Sequence, residues 1–276
     1  MRYDTIEVAK LTPHVGAEIR GVDLSRPLDE RTFKEIHDAL IENQVIFFRD
    51  QRLTPGEQKD FGRRFGELHI HPAAPSLLEG HPEILVIHAD ETSKRVAGED
   101  WHSDVSCDPE PPMGSILYMH EIPPLGGDTL FASMYAAYES LSDHMKRFLE
   151  GLTAMHEGEH VYRGRYGVKD DDRTFPKAEH PVIRTHPVSG RTALFVNRGF
   201  TTRIGQLTRA ESDAVLQFLF RHVETPELHC RFRWQEHSIA FWDNRCVQHH
   251  AMWDYYPARR HGHRVTIKGD TPFYRG

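Results

Sequence analysis

Cysteine is scarce in this chain: Cys107, Cys230 and Cys246 are the only three among 276 residues. An odd number in no metal-binding spacing argues against a disulfide framework. It fits reduced thiols in a cytoplasmic protein. Long apolar runs are missing too. No uncharged stretch approaches the roughly 18 residues of a membrane span. The first twenty residues carry charges throughout, so no signal peptide is expected. Basic excess is also absent, since 34 Lys and Arg against 41 Asp and Glu give a formal charge of −7. Without a basic stripe, nucleic acid is not expected as a main partner. No repeat, low-complexity tract or Pro/Ser linker divides the chain, so residues 1–276 are expected to form a single domain.

What is present suffices for a sizeable core: 38% hydrophobic residues with 10% aromatics, a composition unlike that of disordered chains. Histidine is abundant, at 20 residues. Most of these are therefore ordinary, and the value of any one depends on its company.

Short strands are predicted around Thr5–Val8 and Ala17–Val22, where apolar and polar residues alternate. Phe33, Ile36, Leu40 and Ile41 give helical spacing from Leu28 to Glu42, and Val45–Phe48 reads as a buried strand. Thr54-Pro55-Gly56-Glu57 is a capping box with proline at the first helical position, opening a helix that runs to Phe65. Residues 69–100 look irregular around one strand, Ile84–Ile87. Further on come a strand at Ser115–Met119, a turn at Gly126-Gly127, a strand at Thr129–Phe131 and a helical pattern from Met134 to Leu152. Residues 156–180 are polar and weakly periodic, a candidate lid. Strands return at Val182–Thr185 and Ala193–Val196. A second capping box at Thr208–Glu211 opens a helix through Val223, and strands at Cys230–Trp234, Ser238–Trp242 and Arg264–Lys268 complete the set. Many short strands with helices at the edges predict a mainly β fold with flanking helices, a barrel or jelly roll.

The candidate chemistry starts at Trp101-His102-Ser103-Asp104. In an extended segment positions i and i+2 share a face, so His102 and Asp104 can converge on one point. Alone, such a pair is as well read as a surface ion pair. Far downstream, after the apolar run ending at Trp242, stand His249 and His250, of which one can face the same point. Two His and one carboxylate on one face of a metal form the ligand set of non-haem Fe(II) oxygenases. Arg260 and Arg264 follow. If the chain is extended there they share a face, and guanidinium groups suit an anionic co-substrate and an anionic substrate. Arg259 beside them reads as surface charge.

These stretches resemble the taurine dioxygenase / 2,4-dichlorophenoxyacetate dioxygenase family of Fe(II)- and 2-oxoglutarate-dependent oxygenases, most closely its taurine dioxygenase branch. The similarity extends through Gly126-Gly127-Asp128-Thr129-Leu130, Thr185–Gly190, Phe195-Val196-Asn197, Gly199–Ile204, Trp242-Asp243-Asn244-Arg245 and His263–Arg275, in order and along nearly the whole chain. The resemblance implies a double-stranded β-helix, the cupin-like jelly roll. It implies Fe(II) held by His102, Asp104 and His249, with His249 preferred because it falls four residues after Arg245. Thr129 and Arg260 would hold the distal carboxylate of 2-oxoglutarate, and Arg264 would sit between co-substrate and substrate. Oxidative decarboxylation of 2-oxoglutarate by O2 would yield succinate and CO2 while a substrate C–H is hydroxylated. Asp104 stands where halogenating relatives lack the carboxylate, which favours hydroxylation.

For the substrate, the resemblance implies a small organic anion bound by His71, Val105, Phe200 and Arg264. The pocket's tyrosine position reads Ala74, its asparagine falls at Gly98, and a further aromatic falls near Gly158. The expectation is a sulfonate bulkier than taurine, hydroxylated next to sulfur with release of sulfite and an aldehyde. A sulfate ester or aryloxy-carboxylate is the alternative. By analogy with relatives, a homodimer or homotetramer is expected. The competing class is a non-catalytic metal-binding jelly-roll sensor, for which Arg260 and Thr129 would have no role.

Overall fold

A computed structural model describes residues 3–71, 77–165 and 173–276. Strands β1 (Glu7–Lys10) and β2 (Ala17–Arg20) lead into helix α1 (Glu30–Asn43), where the Asp29 carboxylate accepts from the Thr32 amide. Strand β3 (Val45–Phe48) is buried at every position. Helix α2 (Pro55–Arg63) opens with the reciprocal Thr54–Glu57 box and ends two residues before Phe65. Strands β4 (Leu68–His69), β5 (Leu77–Leu78), β6 (His81–Ala89), β7 (Gly114–Glu121) and β8 (Thr129–Ser133) follow.

The helical pattern after Ser133 is two helices, not one: α3 (Met134–Glu139) and α4 (Asp143–Leu149). The Ser142 hydroxyl accepts from the Met145 amide and starts the second. Next come β9 (Thr153–Glu157), the single-turn α5 (Glu159–Tyr162), β10 (Lys177–Pro181), β11 (Ile183–Thr185), β12 (Thr192–Leu194) and β13 (Thr201–Ile204). Much of the predicted lid is thus regular structure, and its residues 166–172 lie outside the described ones. Helix α6 (Arg209–Val223) has the expected capping box, and β14 (His229–Phe232), β15 (Ile239–Asp243), β16 (Val247–Ala251) and β17 (Arg260–Ile267) close the set. No helix among the described residues is long and apolar enough to cross a membrane.

One sheet runs β1-β2-β3-β15-β7-β17-β6-β5, with β4 on β17; a second is β14-β8-β16. Alternation along the strands divides the apolar residues between two cores. Val45, Phe47, Leu117, Met119, Ala240 and Trp242 face inward and share a core with Phe131, Phe232 and Val247 of the second sheet. Phe47 stacks on Phe232 with centroids 3.9 Å apart. The intervening Ile46, Phe48, Ile116, Tyr118, Ile239 and Phe241 face outward and pack with Ile36 and Leu40 of α1 and Phe61 of α2. Two sheets face to face with helices outside are the expected double-stranded β-helix, a cupin-like jelly roll.

Strand β17 obeys the same parity. Val265 and Ile267 belong to the outer core, which sends Arg260 and Arg264 inward. Pairing with β6 is unbroken from Arg260 to Val265, and the register shift against β7 leaves only His120 unpaired.

Candidate active site

Residues 102 and 249 are 147 apart in sequence and joined at the backbone. The His102 amide donates to the His249 carbonyl at 3.1 Å, and the His249 amide returns the bond to His102 at 2.9 Å. Their rings lie 4.1 Å apart, centroid to centroid. His102 Nδ1 is 2.7 Å from the Asp100 carbonyl. A carbonyl only accepts, so Nδ1 donates and Nε2 is the ring nitrogen turned toward Asp104. That Nε2 stands 3.6 Å from Asp104 Oδ1, and His249 Nε2 stands 4.0 Å from Asp104 Oδ2. One ligand atom from each residue falls within 4.8 Å of the others.

The protonation states suit a cation. Burial, reinforced by His102, drives the His249 pKa well below the ordinary imidazole value, so the ring is neutral. For Asp104, burial opposes the charge, but Arg264 and the two histidines outweigh it and hold the carboxyl well below its usual range. A neutral imidazole and a formed carboxylate are the states in which these side chains bind metal. His249 Nδ1 is buried and makes no hydrogen bond among the described residues. His250 points away, as alternation requires, and stacks on Trp101 at 5.5 Å.

Asp104 is held from several sides. Arg264 Nη1 donates to Oδ1 at 2.5 Å and the Ser115 hydroxyl to Oδ2 at 2.7 Å. Asn244 Nδ2 donates to Ser115 Oγ at 3.0 Å, while Asn244 Oδ1 accepts from the Asp104 amide at 3.2 Å and from Trp242 Nε1 at 3.0 Å. The positioning roles of Ser115 and Asn244 were not read from sequence. The only signal was the place of Asn244 inside Trp242-Asp243-Asn244-Arg245. Val105, next in the chain, adopts φ +48°, a left-handed conformation that a β-branched residue takes only under constraint.

On the inner face of β17, Arg260 lies over the Trp234 ring at 5.6 Å, and Trp234 Nε1 donates to Thr129 Oγ1 at 3.0 Å. The Arg260 guanidinium is buried, burial lowers its pKa, and Nε has no partner. No carboxylate pairs with it among the described residues. Tyr255 and Asp128 act on it only at longer range, and a buried charge without a direct partner costs several kcal/mol, so this arrangement fits a bound anion such as a dicarboxylate's far end.

A cavity of about 440 Å³ opens above His102 and Asp104, with His71, Val105, Phe200 and Arg264 in its walls. Thr129 and Arg260 lie outside that lining, beside Trp234. Gly98, at φ +85°, passes so close to the first imidazole that a Cβ there would sit 3.1 Å from His102 Cε1. Ala74 lies outside the described residues. At Gly158 the structure departs from expectation: the space is not open. A Cβ there would meet Tyr162 Cε2 at 3.0 Å and Cys107 Sγ at 3.1 Å, because Tyr162 fills it.

His186, Asp243 and Cys246 also come within 4.8 Å of one another, yet this group already holds a cation. Arg245 donates to both Asp243 oxygens, at 2.8 and 2.7 Å, and His186 Nε2 lies 3.0 Å from Oδ2. Burial keeps the Cys246 thiol protonated. It is a structural ion pair at the turn into β16.

Known proteins resemble this chain along nearly its whole length. Residues 7–266 match the family described as "Taurine catabolism dioxygenase TauD, TfdA family". The chain is 34% identical to an alpha-ketoglutarate-dependent sulfonate dioxygenase of Saccharomyces cerevisiae, covering 97% of this chain and 68% of that protein. It is also 34% identical to an alpha-ketoglutarate-dependent sulfate ester dioxygenase of Pseudomonas putida, covering 97% and 91%. The crystal structure of a taurine dioxygenase from Burkholderia xenovorans superposes with a TM-score of 0.85 at 36% identity, over 98% of this chain and 93% of that one. The chain therefore belongs to the TauD/TfdA family of Fe(II)- and 2-oxoglutarate-dependent dioxygenases.

Proposed function

We propose that this enzyme hydroxylates a small sulfur-bearing organic anion, a sulfonate or an alkyl sulfate ester, at the carbon beside the head group. The observation that carries this reading is the convergence of His249 on His102 and Asp104, the latter two lining a cavity whose wall also holds Arg264. In it Fe(II) is held by those three side chains, and Thr129 with Arg260 takes the distal carboxylate of 2-oxoglutarate. Once bound, the iron and 2-oxoglutarate supply O2-dependent oxidation of a substrate C–H, with succinate and CO2 as co-products.

The chain's own residues do the rest. Asp100 fixes the His102 ring, and Ser115 and Asn244 fix the Asp104 carboxylate. Arg264 keeps Nε without a partner beside the cavity, a donor for the substrate's anionic head. Burial pushes the His71 pKa down to about 3, so its imidazole meets the anion as a neutral hydrogen-bonding group. The apolar walls of Val105, Phe200 and Ile87 receive the substrate's carbon chain and exclude water. The relatives named for sulfonates and sulfate esters support this substrate class. The three buried cysteines, none in a disulfide, support a reducing, cytoplasmic setting.

The test is a panel of alkanesulfonates, alkyl sulfates and aryloxy acids, assayed for succinate release with Fe(II), 2-oxoglutarate and O2. Hydroxylation beside sulfur leaves an adduct that collapses to aldehyde and sulfite. Hydroxylation beside the ester oxygen leaves aldehyde and sulfate. The expected result is substrate-dependent succinate with stoichiometric sulfite or sulfate, faster for longer chains than for taurine. Succinate stimulated only by aryloxy acids, or by none of the panel, overturns the proposal.

A further inference from the structure

The proposed anion site has a component that no comparison assigns. Tyr162 ends the single-turn helix α5 and is buried in the cavity wall with Val105 and Arg264. Its ring stands edge-on to His71, with centroids 5.5 Å apart at 86°, and lies 5.9 Å from Phe200. Val105, Cys107, Tyr162 and Phe200 form one small apolar cluster, separate from the two main cores.

Local sequence explains how the ring gets there. Strand β9 ends at Glu157 and Gly158 begins the turn, with its amide bonded to the Pro176 carbonyl and its own carbonyl accepting from the Tyr162 amide. Any side chain at 158 would press on Tyr162 Cε2, Cys107 Sγ and the Pro176 carbonyl, all within 3.1 Å of its Cβ. Glycine at 158 thus makes room for tyrosine at 162. The aromatic wall expected from residue 158 is supplied one helical turn later, and the replacement carries a hydroxyl.

That hydroxyl lacks a strong acceptor. Among the described residues the group that lies against it is the Cys107 thiol, and sulfur is a weak acceptor. Burial keeps the phenol protonated, and both Arg264 and Asp104 are close enough to act on it electrostatically. A neutral, buried O–H that shares a cavity wall with a guanidinium is a donor suited to an oxygen of an anion.

We infer that Tyr162 is a substrate-binding, specificity-determining residue: its hydroxyl donates to the anionic head held by Arg264, and its ring limits the bulk accepted beside that head. This rests on the substrate reading above. Such placement favours sulfonate and sulfate heads, whose third oxygen accepts the additional donor, over planar carboxylates with two.

The test uses the iron- and 2-oxoglutarate-loaded enzyme with its best sulfonate or sulfate ester from the panel. Tyr162→Phe keeps the ring and removes only the donor. It is expected to raise the KM for that anion about tenfold, the size of one hydrogen bond to a charged group, while the KM for 2-oxoglutarate stays put. Tyr162→Ala is expected to shift preference toward substrates branched next to the head group. A Tyr162→Phe KM within twofold of the unaltered enzyme, or an unchanged preference order in Tyr162→Ala, overturns the inference. If instead the unaltered enzyme turns over none of these anions, the underlying substrate reading fails, and the two failures are told apart.

Discussion

Arg264 and Asp104 form a buried ion pair, Nη1 to Oδ1 at 2.5 Å, with both side chains under one-tenth exposed. Asp104 is at once the proposed metal ligand and the anchor for the residue facing the substrate. Removing one member of such a pair costs about 2–5 kcal/mol, much of it from the partner left buried and uncompensated. Arg264→Met is therefore expected to lose at least two orders of magnitude in kcat/KM, with Arg264→Lys recovering part. Steady-state succinate assays check this.

Asn244 touches neither cavity nor proposed ion, yet it orients Asp104 through the main chain and through Ser115. Loss of such supporting bonds typically weakens metal binding about 10–100-fold. Asn244→Ala should weaken Fe(II) binding by that factor in an anaerobic titration. Unaltered affinity would show that Ser115 and Arg264 hold the carboxylate unaided.

Arg260 makes opposite predictions for stability and for co-substrate binding. Its buried guanidinium has no direct ion-pair partner among the described residues, Tyr255 and Asp128 acting on it only at longer range, and replacing a buried charge so weakly compensated by an apolar group of similar volume is neutral or stabilising. Arg260→Met is expected to keep or raise the Tm of the apoprotein and to lose about 2–5 kcal/mol of 2-oxoglutarate binding. A Tm falling by several degrees, with 2-oxoglutarate affinity unchanged, would remove Arg260 from the site.

A histidine cluster on the outer face of the sheet sets a pH limit. His120 Nε2 lies 3.0 Å from His263 Nδ1, with His261, His88 and Tyr118 around them. Burial first, then His261 and His237 acting on His120, and His120 and His261 acting on His263, pushes both down to about 4. In the unfolded chain these groups titrate near 6.5. Between these values the unfolded chain binds more protons, so the stability present above about pH 6.5 is lost as pH falls toward 4. The Tm should drop across that window, and His120→Phe should flatten the drop. The His120 ring is only partly buried, so solvent screening reduces the effect.

What was legible in the sequence was whatever local chemistry dictates. Thr54–Glu57 and Thr208–Glu211 started their helices where capping requires, and Val45–Phe48 was a strand because nothing in it tolerates water. Strand β6 was read at less than half its length, because His81, Pro82, Glu83 and His88 conceal a strand that is only partly buried. The start of β17 was missed for a functional reason: Arg260 and Arg264 point inward, where pattern reading expects apolar residues. His102, Asp104 and His249 came from motif and resemblance. Alternation in β16 then separates His249 from His250. Tyr162 stayed invisible because its importance depends on the space left at Gly158, a fact of packing that no spacing rule encodes.

Reciprocal amide–carbonyl bonds tie residue 102 to residue 249, so the spacing of the two imidazoles is set by the main chain before any ion arrives. Such a centre is expected to release and regain a bound ion without unravelling. Chelation should inactivate the enzyme reversibly and leave its circular dichroism intact. Activity lost together with secondary structure would mean that iron holds the fold, instead of the fold presenting a ready-made seat to iron.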